Sequence, residues 1–175
     1  MKRRVYLDHL SGGPLAPEVS AAMRPWLEEI HGNAASLHRH GLKAREALDT
    51  AAAQCAAMIG APADDLVFTS SGTEANNLAV KGVAEAQRER GTHLILSNIE
   101  HPSIDQSVAW LEQQGFTATR VPVDREGRLS VGAVTEAITE QTILIATHHA
   151  NHDLGAVQNL PALGALAGER GIPLL

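Results

Sequence analysis

The 175-residue chain is poor in several residue types. It has one cysteine, Cys55, which excludes an internal disulfide and every metal site built from several cysteines. Aromatic residues make up 3%. Basic residues are outnumbered, Lys+Arg 14 against Asp+Glu 20, for a formal net charge of -6. That balance disfavours a general binder of the nucleic-acid backbone, which needs a basic face. No apolar run approaches the ~18 residues of a membrane span. The opening MKRRVYLDHL is basic and then briefly apolar, but Asp8 interrupts it before a signal-peptide core can form. These absences make a cytoplasmic location the expectation. Lysine is also scarce, with only Lys2, Lys43 and Lys81. What is present is a 44% apolar content with 19% charge, too apolar and too evenly mixed for a disordered chain.

Helical periodicity alternates with short apolar runs. Residues 17–30 read as a helix with Val19, Met23, Trp26, Leu27 and Ile30 on one side, bent at Pro25. Ser36 caps an expected helix to residue 59, where Leu37, Ala44, Leu48, Ala51, Cys55 and Met58 share a face; that placement makes Cys55 a core thiol. Gly60 suits its left-handed end. Strands are expected at 65–69 (DLVFT), 93–97 (HLILS), 117–122, 142–147 (TILIAT) and from 172. Helices are expected at 72–90, 102–114, 131–138 and 160–170. Strands that are continuous apolar runs need cover on both faces. The alternation predicts an α/β, three-layer sandwich around a mostly parallel sheet.

Ligands of such sheets bind beyond the C-terminal strand ends. Three clusters lie there: SSGTEANN after DLVFT, NIEHPS after HLILS, and HHANHDLG after TILIAT. In the first, Gly72 allows close approach, and the first helical turn with the Thr73 hydroxyl suits an anion; the alternative is ordinary N-capping with Glu74 in the first turn. In the second, His101 would stack on a flat ligand or move protons, or would simply bond the backbone as a loop histidine. In the third, His148, His149, Asn151, His152 and Asp153 offer either a metal site or polar recognition of an organic ligand through Asn151. The spacing matches no standard metal motif, and no metal is expected.

These residues resemble the cysteine desulfurases, pyridoxal-phosphate (PLP) enzymes of aminotransferase class V. VYLDHLSGGPLAPEV resembles the family's opening segment, and GNAASLHRHGLKAR its glycine-asparagine loop and helix. FTSSGTEANNLAVKG resembles the phosphate-binding turn, EHPS the segment with the stacking histidine, and HANHDLGAVQ the segment whose asparagine contacts the cofactor. All five occur in family order. The resemblance implies a PLP-dependent transferase fold of the aspartate aminotransferase type. It implies that Gly72 and Thr73 bind the cofactor phosphate, and that His101 stacks on the pyridine ring and shares in proton transfer. It implies that Asn151 bonds the cofactor's phenolic oxygen. The implied activity removes sulfur from L-cysteine, giving alanine and a persulfide for a sulfur-acceptor protein in iron-sulfur cluster or thio-cofactor assembly. A homodimer is implied as well.

The sequence also departs from the family. Leu10-Ser11-Gly12-Gly13 replaces a hydroxyl-bearing loop. Ser71 stands at a usual glycine, at a cost of about 1 kcal/mol if that position needs positive φ. His152-Asp153 replaces an Asn-Glu pair. The family's later segments, with the aspartate that pairs with the pyridinium, the Schiff-base lysine and the nucleophilic cysteine, have no match in these residues. Lys43 and Lys81 sit in other contexts. The expectation is therefore an N-terminal segment at 1–15 and a partial cofactor-binding large domain at 16–175. Such a chain would be incompetent without a complementing C-terminal part. The alternatives are a non-catalytic desulfurase-like subunit that acts through a partner chain, or a module that uses only the 71–73 turn.

Overall fold

A computed structural model of the chain describes residues 4–9 and 11–175. Lys2 and Leu10 lie outside them. The chain divides into two compact units, Met1–Phe68 and Thr69–Leu175.

The first unit is helical. Helix α1 spans Pro17–Glu28, with Pro17 at its start and Pro25 inside it, and buries no residue. Helix α2 spans Arg39–Ile59. The expected cap at Ser36 is corrected: His38 is the cap, and its Nδ1 accepts from the Gly41 N–H at 3.3 Å. The reason is steric as well as polar. A side chain at Gly41 would strike the carbonyl oxygens of Ser36 and Asn33, so the loop folds tightly against the first turn of α2. Gly60 ends the helix at φ 68°, in keeping with its sequence position. The only buried residues of α2 are Gly41 and Ala56, and Cys55 is exposed rather than a core thiol. Of the face that helical period marked, Ala44 and Ala51 are half-buried, while Leu37, Leu48, Cys55 and Met58 are exposed. Residues 65–69 do not form the expected strand. A 3-10 turn at Ala63–Asp65 comes first, and no segment among the described residues pairs with positions 66–69. A strand needs a neighbour for its N–H and C=O groups.

The second unit holds the sheet. Strands β1 (His93–Ser97), β2 (Thr117–Val121) and β3 (Thr142–Ala146) are parallel in the order β2-β1-β3. Residues 172–175 run beside β3, with Ile145 N–H donating to Pro173 O and Leu175 N–H to Ile145 O. β1 and β3 are buried at every position. Alternate residues face opposite ways. Leu94, Leu96, Leu144 and Ala146 join Val80, Ile104, Val108 and Leu111 of helices α3 (Gly72–Ala86) and α4 (Pro102–Gln113). Ile95, Ile145 and Val121 join Val134, Leu163, Leu166 and Ala167 of helices α5 (Val131–Ala137) and α6 (Leu160–Arg170). This is the expected three-layer arrangement. It leaves the starts of α3 and α4 and the 147–158 loop to carry polar chemistry.

Candidate active site

Ser71 is in extended backbone, φ -165° and ψ 162°, so the strain that a positive φ would impose does not arise. Its hydroxyl accepts from the Glu74 N–H at 3.2 Å. The Glu74 carboxylate turns back to accept from Ser70 N at 2.7 Å and from the Ser70 hydroxyl. That bonding holds the Glu74 carboxyl below its ordinary range, the Ser70 hydroxyl being the main cause. The N–H groups of Gly72 and Thr73 have no partner among the described residues. A side chain at Gly72 would meet nothing within 4 Å, so this end of α3 is open. Helix start and exposed N–H groups together suit an anion.

His101 is exposed and caps α4, ahead of Pro102. Its Nδ1 accepts from Ser103 N–H at 3.1 Å and lies 2.8 Å from the Ser103 hydroxyl. That hydroxyl in turn accepts from Asn76 Nδ2 on α3, at 2.8 Å. The His152 ring stands edge-on to His101, centroids 5.2 Å apart.

Next to His101, from Glu100, runs a network whose pairing sequence reasoning did not foresee, although His148 was among its candidates. The Glu100 carboxylate, 3% exposed, accepts from the Ser97 hydroxyl, the His148 main-chain N–H and the His148 ring Nδ1–H at 2.9 Å. On its far side the His148 ring accepts at Nε2 from Gln158 Nε2, 2.9 Å away. Gln158 is fixed in that sense, because its Oε1 accepts from Leu129 N–H and its Nε2 donates to Gly127 O. These bonds place a proton on His148 Nδ1 and a lone pair on its Nε2. The available signal was the convergence of two strand-end loops. Glu100 follows β1 and His148 follows β3, and β1 and β3 are neighbours.

Asn151 is 4% exposed and works on its own loop. Its Oδ1 accepts from Asp153 N–H and Leu154 N–H, and its Nδ2 donates to Ile99 O at 3.2 Å. One amide proton remains available. A cavity of about 200 Å³ is lined by Asn76, Glu100, His101, Ile104, Thr147, His148 and Leu175. Of the residues singled out in the sequence, His101 and His148 line it. Gly72 and Thr73 lie one turn upstream of Asn76 on α3, and Asn151, in the 147–158 loop, is not among the lining residues. Lys81 is engaged elsewhere, with its Nζ 4.8 Å from the Trp110 ring centroid. Among the described residues no group of three or more His, Cys, Asp or Glu could hold a metal ion, and no helix is long and apolar enough to cross a membrane.

Known proteins resemble the chain in sequence and in fold. The chain is 42% identical over 172 residues to a cysteine desulfurase IscS of Dictyoglomus turgidum, a match that covers 98% of this chain and 44% of the relative. It is 40% identical over 166 residues to a putative cysteine desulfurase of Bacillus subtilis, with 95% and 44% covered. Among solved structures, SspA in complex with cysteine superposes with a TM-score of 0.92 at 37% identity, over 97% of this chain and 49% of that one. DndA from Streptomyces lividans gives 0.84 at 30% identity, over 97% and 48%. The chain thus spans under half the length of these relatives. Residues 5–175 match the aminotransferase class-V family, and the chain belongs to it.

Proposed function

We propose that the protein contributes the phosphate-side half of the cofactor site of a PLP-dependent cysteine desulfurase. The observation that carries this reading is the open start of α3, with the N–H groups of Gly72 and Thr73 unpartnered beside a cavity edged by His101. The residues present fit the cofactor. Gly72 leaves room for close approach, and the Glu74 carboxylate is drawn away onto Ser70 rather than facing an incoming anion. When bound, PLP supplies an electron sink for the α-carbon of the amino acid. The chain's own residues have simpler tasks. Gly72 N–H, Thr73 N–H and the Thr73 hydroxyl would hold the phosphate, helped by the helix dipole. His101 would stack on the ring and move a proton at Nε2, the nitrogen its bonds leave available. Asn151 would donate its remaining amide proton to the phenolic oxygen.

The substrate in this reading is L-cysteine, whose sulfur leaves as alanine forms and passes to a thiol as a persulfide for a sulfur-acceptor protein. Relatives named cysteine desulfurases and a structural neighbour solved with cysteine support that choice. A homodimer, or a complementing C-terminal chain that supplies the lysine, belongs to the same proposal, as does a cytoplasmic location.

Titrating PLP into the protein as expressed from its gene, followed by absorbance, tests the reading. Saturable binding is expected, weakened about tenfold by Thr73→Val, the loss of one hydrogen bond to a charged group. Binding that ignores Thr73→Val would overturn it.

A further inference from the structure

We infer that Asn76 and Ser103 are positioning residues that hold His101 in its Nε2–H form, so that the ring meets a bound ligand as a hydrogen-bond donor. The inference rests on the cofactor reading above for the ligand's identity, but not for the ring's state.

The argument is one of donors and acceptors. An amide N–H can only donate, so the Ser103 N–H at 3.1 Å places a lone pair, not a proton, on His101 Nδ1. The Asn76 amide nitrogen can also only donate, and at 2.8 Å it occupies the acceptor side of the Ser103 hydroxyl. The hydroxyl proton is then left to point at His101 Nδ1, 2.8 Å away. The chain Asn76 to Ser103 to His101 runs in one direction only. Two donors converge on Nδ1, and the ring's single proton resides on Nε2.

The scaffold is rigid where this chain is built. Asn76 lies four residues before Val80, on the same face of α3. Val80 is fully buried against Ile104 and Val108 of α4. Ser103 is 7% exposed, and its carbonyl accepts from the Ser107 hydroxyl at 2.7 Å. Packing of the two helices therefore sets the Asn76–Ser103 distance. The consequence is a choice of role: neither ring nitrogen offers a lone pair to the cavity at the start. His101 enters as a donor, through Nε2–H, to an electron-rich group of the ligand.

Nitrogen-15 spectra of the histidine rings in the protein as expressed, without cofactor and above the imidazole titration range, test this. In the wild type, Nε2 of His101 is expected to be the protonated nitrogen. Ser103→Ala keeps the main-chain donor and loses the hydroxyl, and is expected to lower the ratio of Nε2–H to Nδ1–H about fivefold. Asn76→Leu is expected to lower it about twofold, since the freed hydroxyl can turn away. Ser103→Thr restores the wild-type ratio. The His93 ring, bonded to Thr142 and Thr119 in the sheet, reports that the fold is intact in each variant. A wild-type ring protonated on Nδ1, or a ratio untouched by both Ser103→Ala and Asn76→Leu, would overturn the inference. Because no cofactor is present, failure here is separable from failure to bind PLP.

Discussion

Helix α2 and helix α4 both carry apolar residues at three- and four-residue spacing, and their fates differ. α2, at 21 residues, buries Gly41 and Ala56. α4, at 12 residues, buries Ser103, Ile104, Ser107, Val108 and Leu111. The same contrast holds for the two units. In residues 4–9 and 11–68, large apolar side chains such as Leu15, Leu37, Met58 and Phe68 stand more than half exposed. In residues 69–175, Leu94, Ile95, Ile143, Leu144 and Ile145 are closed off completely or nearly so. Periodicity marks which face of a helix is fit for burial. It does not say whether the rest of the chain supplies a second surface. A parallel sheet does supply one on each side, and the second unit has it.

The sharpest way to break the comparison is a matched pair of truncations. Leu94→Ala removes a side chain 1% exposed between α3, α4 and the sheet, and is expected to cost about 2–5 kcal/mol. Leu48→Ala on α2, where the side chain is 48% exposed, is expected to stay within about 0.5 kcal/mol. Urea denaturation measures both. Equal costs would mean that α2 is covered as fully as the sheet.

A smaller effect contrasts the charges. Asp49 pairs with Arg45 at 2.9 Å on the open surface of α2, and Asp49→Asn is expected to change stability by about 0–0.5 kcal/mol. Glu100 is enclosed, and three donors converge on its carboxylate. Glu100→Gln turns an amide group toward those donors and is expected to cost about 2–3 kcal/mol. An unchanged urea midpoint for Glu100→Gln would remove the network from any account of the site.

The sequence made the sheet legible because its two most buried strands, HLILS and TILIA, have continuous apolar centres and are bounded by glycine or polar turns. HLILS and TILIA need nothing but helices on both faces, and those helices follow in order. DLVFT carried the same signal and failed, since a strand is a property of two segments and no described segment pairs with it. Cys55 failed for the parallel reason that a face needs a cover. In the candidate site, Gly72, Thr73 and His101 stand at the starts of α3 and α4, where the sequence placed them. The pairing of Glu100 with His148 and Gln158 was not legible, because it arises only where two separate loops meet. Asn151 was singled out for a ligand, while its oxygen proves to be committed to its own loop.

The mildest prediction concerns a buried imidazole, a feature the first region lacks, since His9, His31, His38 and His40 are all exposed. His93 lies in β1 with its Nδ1 2.8 Å from the Thr142 hydroxyl and its Nε2 2.9 Å from the Thr119 hydroxyl. Burial pushes its pKa below the ordinary 6.5, because the charged ring would lose its water. The unfolded chain therefore takes up the proton first. The neutral ring's contribution is fully present above pH 6.5 and is lost as pH falls from there toward the depressed folded value. His93→Gln, which can still bond to a threonine hydroxyl but does not titrate, is expected to flatten the stability profile just below pH 6.5. Chemical denaturation across that window measures the slope. A profile equally steep with and without His93 would show that some other group of the second region carries the pH dependence, and that the strand's imidazole is as open to water as those of the first.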